Sequence, residues 1–178
     1  MQERPLAVLI GPPGAGKSGV GRKLAKYLAA PFVDTDARIA QAHGPIPEIF
    51  RTRGEQHFRQ LEREVVAEAL TEAAVVSLGG GAVLDEGTQS QLGDQRVVLL
   101  TVSPSAVARR LSGSKRPLLA TESADDRLAA WSALVDSRRD IYERLAVASW
   151  DTSTRPITAI AGEIARWVTE QEEERARL

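Results

Sequence analysis

The sequence predicts a three-layer α/β/α fold with a central five-stranded parallel sheet. Short apolar runs rich in β-branched residues alternate with longer segments of helical periodicity, as expected when helices cross over between parallel strands. A chain of 178 residues is also the size of one ordinary domain. We therefore expect residues 1–178 to form a single domain around one sheet.

Five apolar runs are the predicted strands, each of a length typical of buried strands. They are Leu6–Ile10, Phe32–Asp34, Val75–Leu78, Val97–Val102 and Val147–Asp151. In the simplest winding the second strand lies beside the first. This places the residues that follow both strands at one edge of the sheet.

Helical periodicity fills the segments between the strands. It appears after the first strand in Val20, Leu24 and Leu28, and again in the charged segment that begins at Gly54. The end of the chain, about residues 170–178, is mostly Glu and Arg and is predicted to be a frayed, solvated helix end. Further helices are predicted over Ala106–Leu111, Asp125–Leu145 and Pro156–Val168.

Composition excludes several classes of protein. The net charge of -1 gives no overall attraction to nucleic acid or anionic lipid, and without cysteine the chain forms no disulfide or thiolate metal site. No run approaches the roughly 20 apolar residues of a membrane span, and the N-terminus lacks the pattern of a secretory signal. We expect a cytoplasmic protein that binds neither nucleic acid nor membranes, and its three tryptophans are predicted to serve packing.

The segment Gly11–Ser18 reads GPPGAGKS and matches the complete phosphate-binding motif G-x-x-x-x-G-K-[ST] between a predicted strand and a predicted helix. Glycines let the backbone turn its N–H groups toward phosphate oxygens, and the helix N-terminus adds partial positive charge. Lys17 supplies a full charge at the β- and γ-phosphates, and Ser18 offers a hydroxyl to Mg²⁺. The predicted ATP-binding residues are Gly14, Ala15, Gly16, Lys17, Ser18 and Gly19.

This motif identifies nucleotide binding but not the reaction, because motors, switches and kinases share it. Switches that recognise guanine use an Asn-Lys-x-Asp segment, and the sequence contains no asparagine. A guanine-specific switch is therefore excluded, and the acceptor side must decide among the others.

Asp34 and Asp36 follow the second predicted strand, where open α/β sheets place their ligands. One carboxylate could hold a metal through water while the other accepts a hydrogen bond from an attacking hydroxyl. Alternatively, Asp36 only caps the helix that follows. The two carboxylates alone leave both interpretations open.

Six segments occur in order across nearly the whole chain. They are Gly11–Ser18, Asp34–Asp36, Gly54–Arg59 (GEQHFR), Leu78–Gly81 (LGGG), Arg116–Leu119 (RPLL), and Arg138 with Tyr142 four residues later. Together these segments resemble the shikimate kinase family. The resemblance implies a P-loop fold of the nucleoside monophosphate kinase type, and transfer of the γ-phosphate of ATP to the 3-hydroxyl of shikimate by a monomer.

The resemblance also implies roles for individual residues. Asp36 would hold the ring hydroxyls, and Asp34 would reach Mg²⁺ through water while Ser18 binds it directly. Arg59 and Arg138 would grip the shikimate carboxylate, a task that suits the planar guanidinium fork. Gly80 and Gly81 would approach the substrate closely. The implied catalytic residues are Lys17, Asp36 and Arg116.

The resemblance further implies a mobile lid over about residues 112–124, from which Arg116 would reach the γ-phosphate. Arg110 and Arg155 would lie on the adenine side of the ATP site. Gly79–Gly81 stands where many P-loop proteins carry an acidic metal ligand, which leaves Ser77 as the polar group there. The triplet could instead be a plain flexible turn.

Two rival functions remain at this stage. A related small-metabolite kinase, such as a gluconate kinase, would share the phosphate motif but should lack the glycine triplet and the two arginines at these places. A regulatory nucleotide-binding module or ATPase would need no carboxylate clamp, so Arg59, Arg138 and Asp36 argue against it.

Overall fold

The computed structural model describes residues 4–111 and 123–177. Its core is one sheet of five parallel strands, which confirms the predicted fold class. Parallel strands are buried on both faces, so they are continuously apolar rather than alternating. The strands are β1 (Ala7–Ile10), β2 (Phe32–Asp34), β3 (Val75–Ser77), β4 (Val97–Thr101) and β5 (Ala148–Asp151).

The order of the strands is β2-β3-β1-β4-β5, so the expectation that β2 lies beside β1 was wrong. β3 lies between them and pairs through Val76 with Val8 on one side and Val33 on the other. The reason is burial: every residue of β3 is buried, whereas Phe32 and Asp34 of β2 are half-exposed and suit an edge strand. Residues after β1, β2 and β3 still share one edge of the sheet.

Seven α-helices surround the sheet in the described part of the chain. α7 continues through Ala176, beyond the predicted end at Val168, while fraying of the last residues stays a prediction. The helices are α1 (Lys17–Tyr27), α2 (Thr35–His43), α3 (Ile46–Ala69), α4 (Glu86–Leu92), α5 (Pro104–Leu111), α6 (Ala124–Leu145) and α7 (Ile157–Ala176). None of them is both long enough and apolar enough to span a membrane.

Two apolar clusters cover the two faces of the sheet. One combines β1 and β4 residues with α1, α5 and α7, and the other packs the sheet against α3 and α4. α6 contributes to both clusters, because Trp131 is buried in the first and Tyr142 in the second. This helix therefore passes from one face of the sheet to the other.

A third apolar cluster belongs to α2 and α3 alone, and we call these two helices the α2–α3 layer. α3 is kinked at Gly54, whose φ of 82° is a left-handed conformation that glycine adopts without steric cost. The cluster gives this layer an apolar interior separate from the sheet, and it consists of Ile39, Ile49, Phe58, Leu61 and Val65.

Candidate functional site

The phosphate-binding loop, residues 11–16, connects β1 to α1 at the carboxyl edge of the sheet. Gly14 and Gly16 adopt φ values of 84° and 83°, which explains the glycines at these two positions. The Nζ of Lys17 donates hydrogen bonds to the carbonyls of Gly11 at 2.7 Å and Pro12 at 3.2 Å. The lysine side chain therefore folds back over the loop, where it faces the place that a nucleotide's phosphates would occupy.

Asp34 joins the loop to the end of β2. Its carboxylate accepts a hydrogen bond from the Ser18 hydroxyl at 2.5 Å and another from the Ala37 N–H at 3.1 Å. Asp34 is thus the N-cap of α2, and Asp36 lies inside the first turn. The interpretation of Asp36 as the cap of this helix is wrong, because the cap is two residues earlier.

The Ser18 hydroxyl and the Asp34 carboxylate are the oxygen ligands that Mg²⁺ prefers, and they lie side by side where the phosphates would bind. Within residues 4–111 and 123–177, no three acidic, histidine or cysteine side chains group as a metal site. The donor set therefore fits an ion that is held by one or two protein oxygens together with phosphate oxygens and water.

Asp36 has the most strongly altered acidity at this edge of the sheet. Burial of its carboxyl group, together with the nearby carboxylates of Glu62 and Asp34, raises its pKa from 3.8 to about 6. Lys17 and Arg59 oppose this rise but do not cancel it. A carboxylate with this pKa is ionised at neutral pH and can accept and return a proton.

Arg59 lies on α3 and is held in place by a buried carboxylate. Its Nη1 donates to Glu62 at 2.6 Å, and its guanidinium lies 5.3 Å from the ring centroid of Phe58. Glu62 is only 4% exposed, and burial raises its pKa although Arg59 acts in the opposite direction. The sequence analysis missed Glu62, whose only sequence signal is its place one helical turn after Arg59.

Gly79–Gly81 is the surface on which the predicted acceptor residues converge. A Cβ on Gly79 would collide with the Asp36 carboxylate. A Cβ on Gly80 would lie 3.5 Å from Nη1 of Arg138, and one on Gly81 would lie 2.6 Å from Nη1 of Arg59. Gly79 and Gly81 therefore make room for the Asp36 and Arg59 side chains, while Gly80 lies in ordinary contact distance of Arg138.

Two hydroxyl groups hold this glycine turn in place. The Tyr142 hydroxyl donates to the Gly80 carbonyl at 2.7 Å, and the Gly79 N–H donates to the Thr35 hydroxyl at 3.1 Å. The turn is followed directly by a 3₁₀ helix, Ala82–Leu84. These contacts argue against a plain flexible turn and add Thr35 to the residues that the sequence analysis did not identify.

The predicted adenine-side residues are both engaged with protein groups. Arg110, near the end of α5, donates to the Gly14 carbonyl at 2.6 Å and also to the carbonyl of Thr152. Arg155 forms an ion pair with Glu163 on α7. Their contact with adenine stays a prediction.

The catalytic role predicted for Arg116 falls outside the described residues, as does most of the predicted lid over about residues 112–124. The described chain resumes at Ser123, whose hydroxyl accepts a hydrogen bond from the Asp126 N–H at 3.0 Å and caps α6. Residues 123 and 124 therefore belong to the start of a helix.

Comparisons with known proteins agree with this geometry. The family model described as shikimate kinase matches residues 13–169. A shikimate kinase of Mycobacterium avium (strain 104) is 49% identical over 154 residues, which are 85% of this chain and 86% of that protein.

Solved structures of shikimate kinases also match this chain. The shikimate kinase from Acinetobacter baumannii in complex with shikimate superposes with a TM-score of 0.86 at 31% identity, covering 95% of this chain and 94% of that one. A gluconokinase from Sinorhizobium meliloti 1021 covers 99% of this chain and 98% of its own with a TM-score of 0.65, but at 22% identity it shows a shared fold only. By the family match, the sequence identity and the structural superposition together, the chain belongs to the shikimate kinase family.

Proposed function

We propose that the chain transfers the γ-phosphate of ATP to the 3-hydroxyl of shikimate, giving shikimate 3-phosphate and ADP in the shikimate route to aromatic amino acids. One observation carries the proposal beyond family membership. Asp36, Arg59 and Arg138 come from three different helices and meet at three successive glycines beside the phosphate-binding loop. A phosphate donor and a carboxylated acceptor would thus lie next to each other.

On the donor side, the loop N–H groups and the N-terminus of α1 would bind the phosphates of ATP, and Lys17 would neutralise charge at the β- and γ-phosphates. Ser18 would bind Mg²⁺ directly, and Asp34 would do so through water. Held by these two residues, Mg²⁺ would supply neutralisation of the negative charge on the phosphates. Lys17 can exchange its two loop carbonyls for phosphate oxygens without moving to another part of the site.

On the acceptor side, Arg59 and Arg138 would bind the shikimate carboxylate with their paired N–H groups. Glu62 holds Arg59 by its Nη1 at 2.6 Å, whereas the contact of its Nη2 with Glu55 is long, at 3.5 Å. The substrate carboxylate would replace Glu55 at Nη2. Gly80 and Gly81 keep that space free of side chains. The ring hydroxyls would then face Asp36, on the side of the phosphate-binding loop.

In the reaction, the acceptor oxygen attacks the γ-phosphorus in line as the bond to the β,γ-bridging oxygen breaks. The hydroxyl proton passes to the carboxylate of Asp36, whose pKa of about 6 suits this transfer near neutral pH. ADP departs with the bridging oxygen. Arg116 is proposed to stabilise the charge on the transferred group from the lid, and Arg110 and Arg155 are proposed to contact the adenosine part of ATP.

The proposal includes a monomeric cytoplasmic enzyme formed by one kinase domain over residues 1–178. It binds the small molecules ATP and shikimate, and neither nucleic acid nor a membrane. The monomeric state is proposed from the resemblance to the family. Sedimentation in the presence of both substrates tests this part.

A measurement of ADP release with shikimate, with gluconate and with no acceptor tests the proposed activity. ADP release that requires shikimate is expected, and Lys17→Met, which removes the charge at the phosphates, should abolish it while the protein remains folded. Turnover with gluconate would support the rival kinase. Equal turnover without any acceptor would indicate an ATPase.

A further inference from the structure

Five carbonyl groups of the phosphate-binding loop, those of residues 11–15, are engaged by side chains. Lys17, the first residue of α1, contacts the carbonyls of Gly11 and Pro12. The next three carbonyls are bound by three elements that are distant in sequence. Trp131 of α6 donates to Pro13 at 2.8 Å, Arg110 of α5 donates to Gly14 at 2.6 Å, and Thr152, after β5, donates to Ala15 at 2.8 Å.

These outward contacts matter because a trans peptide unit points its carbonyl and its N–H in opposite directions. A donor that holds the Pro13 carbonyl on the outside of the loop therefore turns the Gly14 N–H inward. Pro12 and Pro13 have no N–H of their own, and the Ala15 N–H is directed to the Pro12 carbonyl at 3.2 Å. The N–H of Gly14 is thus one of few that this loop can offer to a phosphate.

Trp131 is suited to this task by its burial. It is 3% exposed, and an indole N–H that is buried without an acceptor is costly, so the bond to Pro13 is strongly favoured over solvent. Trp131 also lies two helical turns before Arg138 on the same face of α6. A Cβ on Gly80 would lie 3.4 Å from Pro13 and 3.5 Å from Arg138, so the loop and the acceptor arginine are close neighbours.

We propose that Trp131 is a positioning residue for nucleotide binding. Its indole N–H fixes the peptide that presents the Gly14 N–H to phosphate, and through Trp131 the helix that carries Arg138 also holds the phosphate-binding loop. This inference rests on the proposed function but concerns only the nucleotide side of it. Trp131, which the sequence predicts to serve packing, thereby has a role in nucleotide binding.

Trp131→Phe tests the proposal, because it keeps an aromatic ring and removes the hydrogen bond. The dissociation constant of ADP with Mg²⁺, measured by calorimetry, should rise about tenfold, the effect of leaving one buried carbonyl without its donor. The KM for ATP should rise in parallel, while the KM for shikimate changes less than about twofold. The matched control is Trp167→Phe on α7, which truncates an indole packed on the same apolar cluster but away from the loop.

The outcomes separate the two proposals. If the wild-type protein binds no ADP, the proposed function fails. If wild type binds ADP and both variants bind it equally well, only the role of Trp131 is overturned, even when Trp131→Phe melts at a lower temperature.

A measurement on the wild-type protein covers the case in which Trp131→Phe does not fold. In protein labelled with ¹⁵N-tryptophan, the three indole N–H resonances are assigned by comparison with the Trp150→Phe and Trp167→Phe variants. The Trp131 resonance should shift when ADP and Mg²⁺ are added and should exchange slowly with solvent. A resonance that stays in place at saturating ADP would overturn the proposal.

Discussion

The two halves of the site are in contact, yet they are built from different parts of the chain. The donor half is made of main-chain groups in residues 11–16, and its carbonyls are held from outside by Trp131, Arg110 and Thr152. The acceptor half is made of charged side chains on three helices. It depends on Gly79–Gly81 for the space in which these side chains meet.

This difference determines how each half responds to substitution. Main-chain groups are present whatever the side chain. The donor half is therefore altered mainly through Lys17, through Ser18 and Asp34, or through the residues that hold the loop carbonyls. On the acceptor half, almost any substitution removes or displaces a group that we propose to face the substrate. Substitutions there should therefore change acceptor binding or the chemical step while ATP binding stays nearly constant.

The largest effect should come from Asp36→Asn, which keeps the size of the side chain but cannot take the hydroxyl proton. We expect kcat to fall about 10³-fold, within the range for loss of a general base, with little change in ATP binding. The matched control is Asp94→Asn, an exposed carboxylate away from the site. In wild type, kcat/KM for shikimate should rise with pH through about 6 as Asp36 ionises. If Asp36→Asn kept most of the wild-type kcat, Asp36 would not be the general base.

A smaller effect is expected for Arg59→Lys and Arg138→Lys, which keep the charge but lose the paired N–H groups. The KM for shikimate should rise about 10- to 100-fold in each, as for loss of a charge-assisted hydrogen bond, while the KM for ATP is unchanged. Arg139→Lys is the control, since Arg139 is adjacent to Arg138 but 56% exposed and paired with Asp136. If the KM for ATP rose as much as the KM for shikimate, the two halves of the site would not act separately.

Gly81→Ala tests whether the glycines make room for the arginines. The added methyl would lie 2.6 Å from Nη1 of Arg59, and the flexible end of that side chain can yield. We therefore expect a folded enzyme whose KM for shikimate is raised about tenfold, comparable to one lost hydrogen bond. Gly93→Ala, where a Cβ has ordinary contacts, should behave as wild type. Normal shikimate binding by Gly81→Ala would contradict this role of the triplet.

The smallest expected effect is on stability. Asp36→Asn, which should lower activity, should raise the free energy of unfolding. Because the pKa of Asp36 is raised from 3.8 to about 6, the folded protein holds this proton more tightly than the unfolded chain. The ionised carboxylate therefore costs stability as pH rises from about 4 to 6, and the full cost remains above that range.

Asp36→Asn removes this cost. Its free energy of unfolding should exceed that of wild type by about 1–3 kcal/mol at pH 7.5 and approach it near pH 4. Thermal unfolding of both proteins from pH 4 to pH 8 measures the difference. A variant that is less stable than wild type at pH 7.5 would show that the carboxylate is held by favourable contacts instead.

The sequence predicted the five strands and the phosphate motif because both are local patterns. It did not predict that β3 separates β1 from β2, because periodicity identifies strands without identifying their neighbours. The assignment of the α2 cap was open for a similar reason. Asp34 and Asp36 are both suitable caps, and only the backbone conformation distinguishes them.

The supporting contacts of the site were not predictable from sequence patterns. Trp131 contacts a residue 118 positions away and Thr152 contacts one 137 positions away, so neither belongs to a motif. Trp131 was correctly expected to be packed, but packing alone does not reveal the acceptor of its N–H. Glu62 resembled any surface glutamate of a charged helix until the fold buried it against Arg59.

The separate apolar cluster of the α2–α3 layer has a consequence for how the protein opens. The layer has its own small interior and a kink at Gly54, and it joins a cluster that covers the sheet through the end of α3, at Val66 and Ala69. The layer can therefore open as a cooperative unit of its own. Its amide protons would then exchange with solvent through partial opening, whereas those of the sheet would exchange only on global unfolding. If the layer opens independently, substitutions in it would affect the stability of the sheet and of the phosphate-binding loop little. The proposed acceptor site, to which this layer contributes Asp36 and Arg59, could then change while the nucleotide-binding part stays the same.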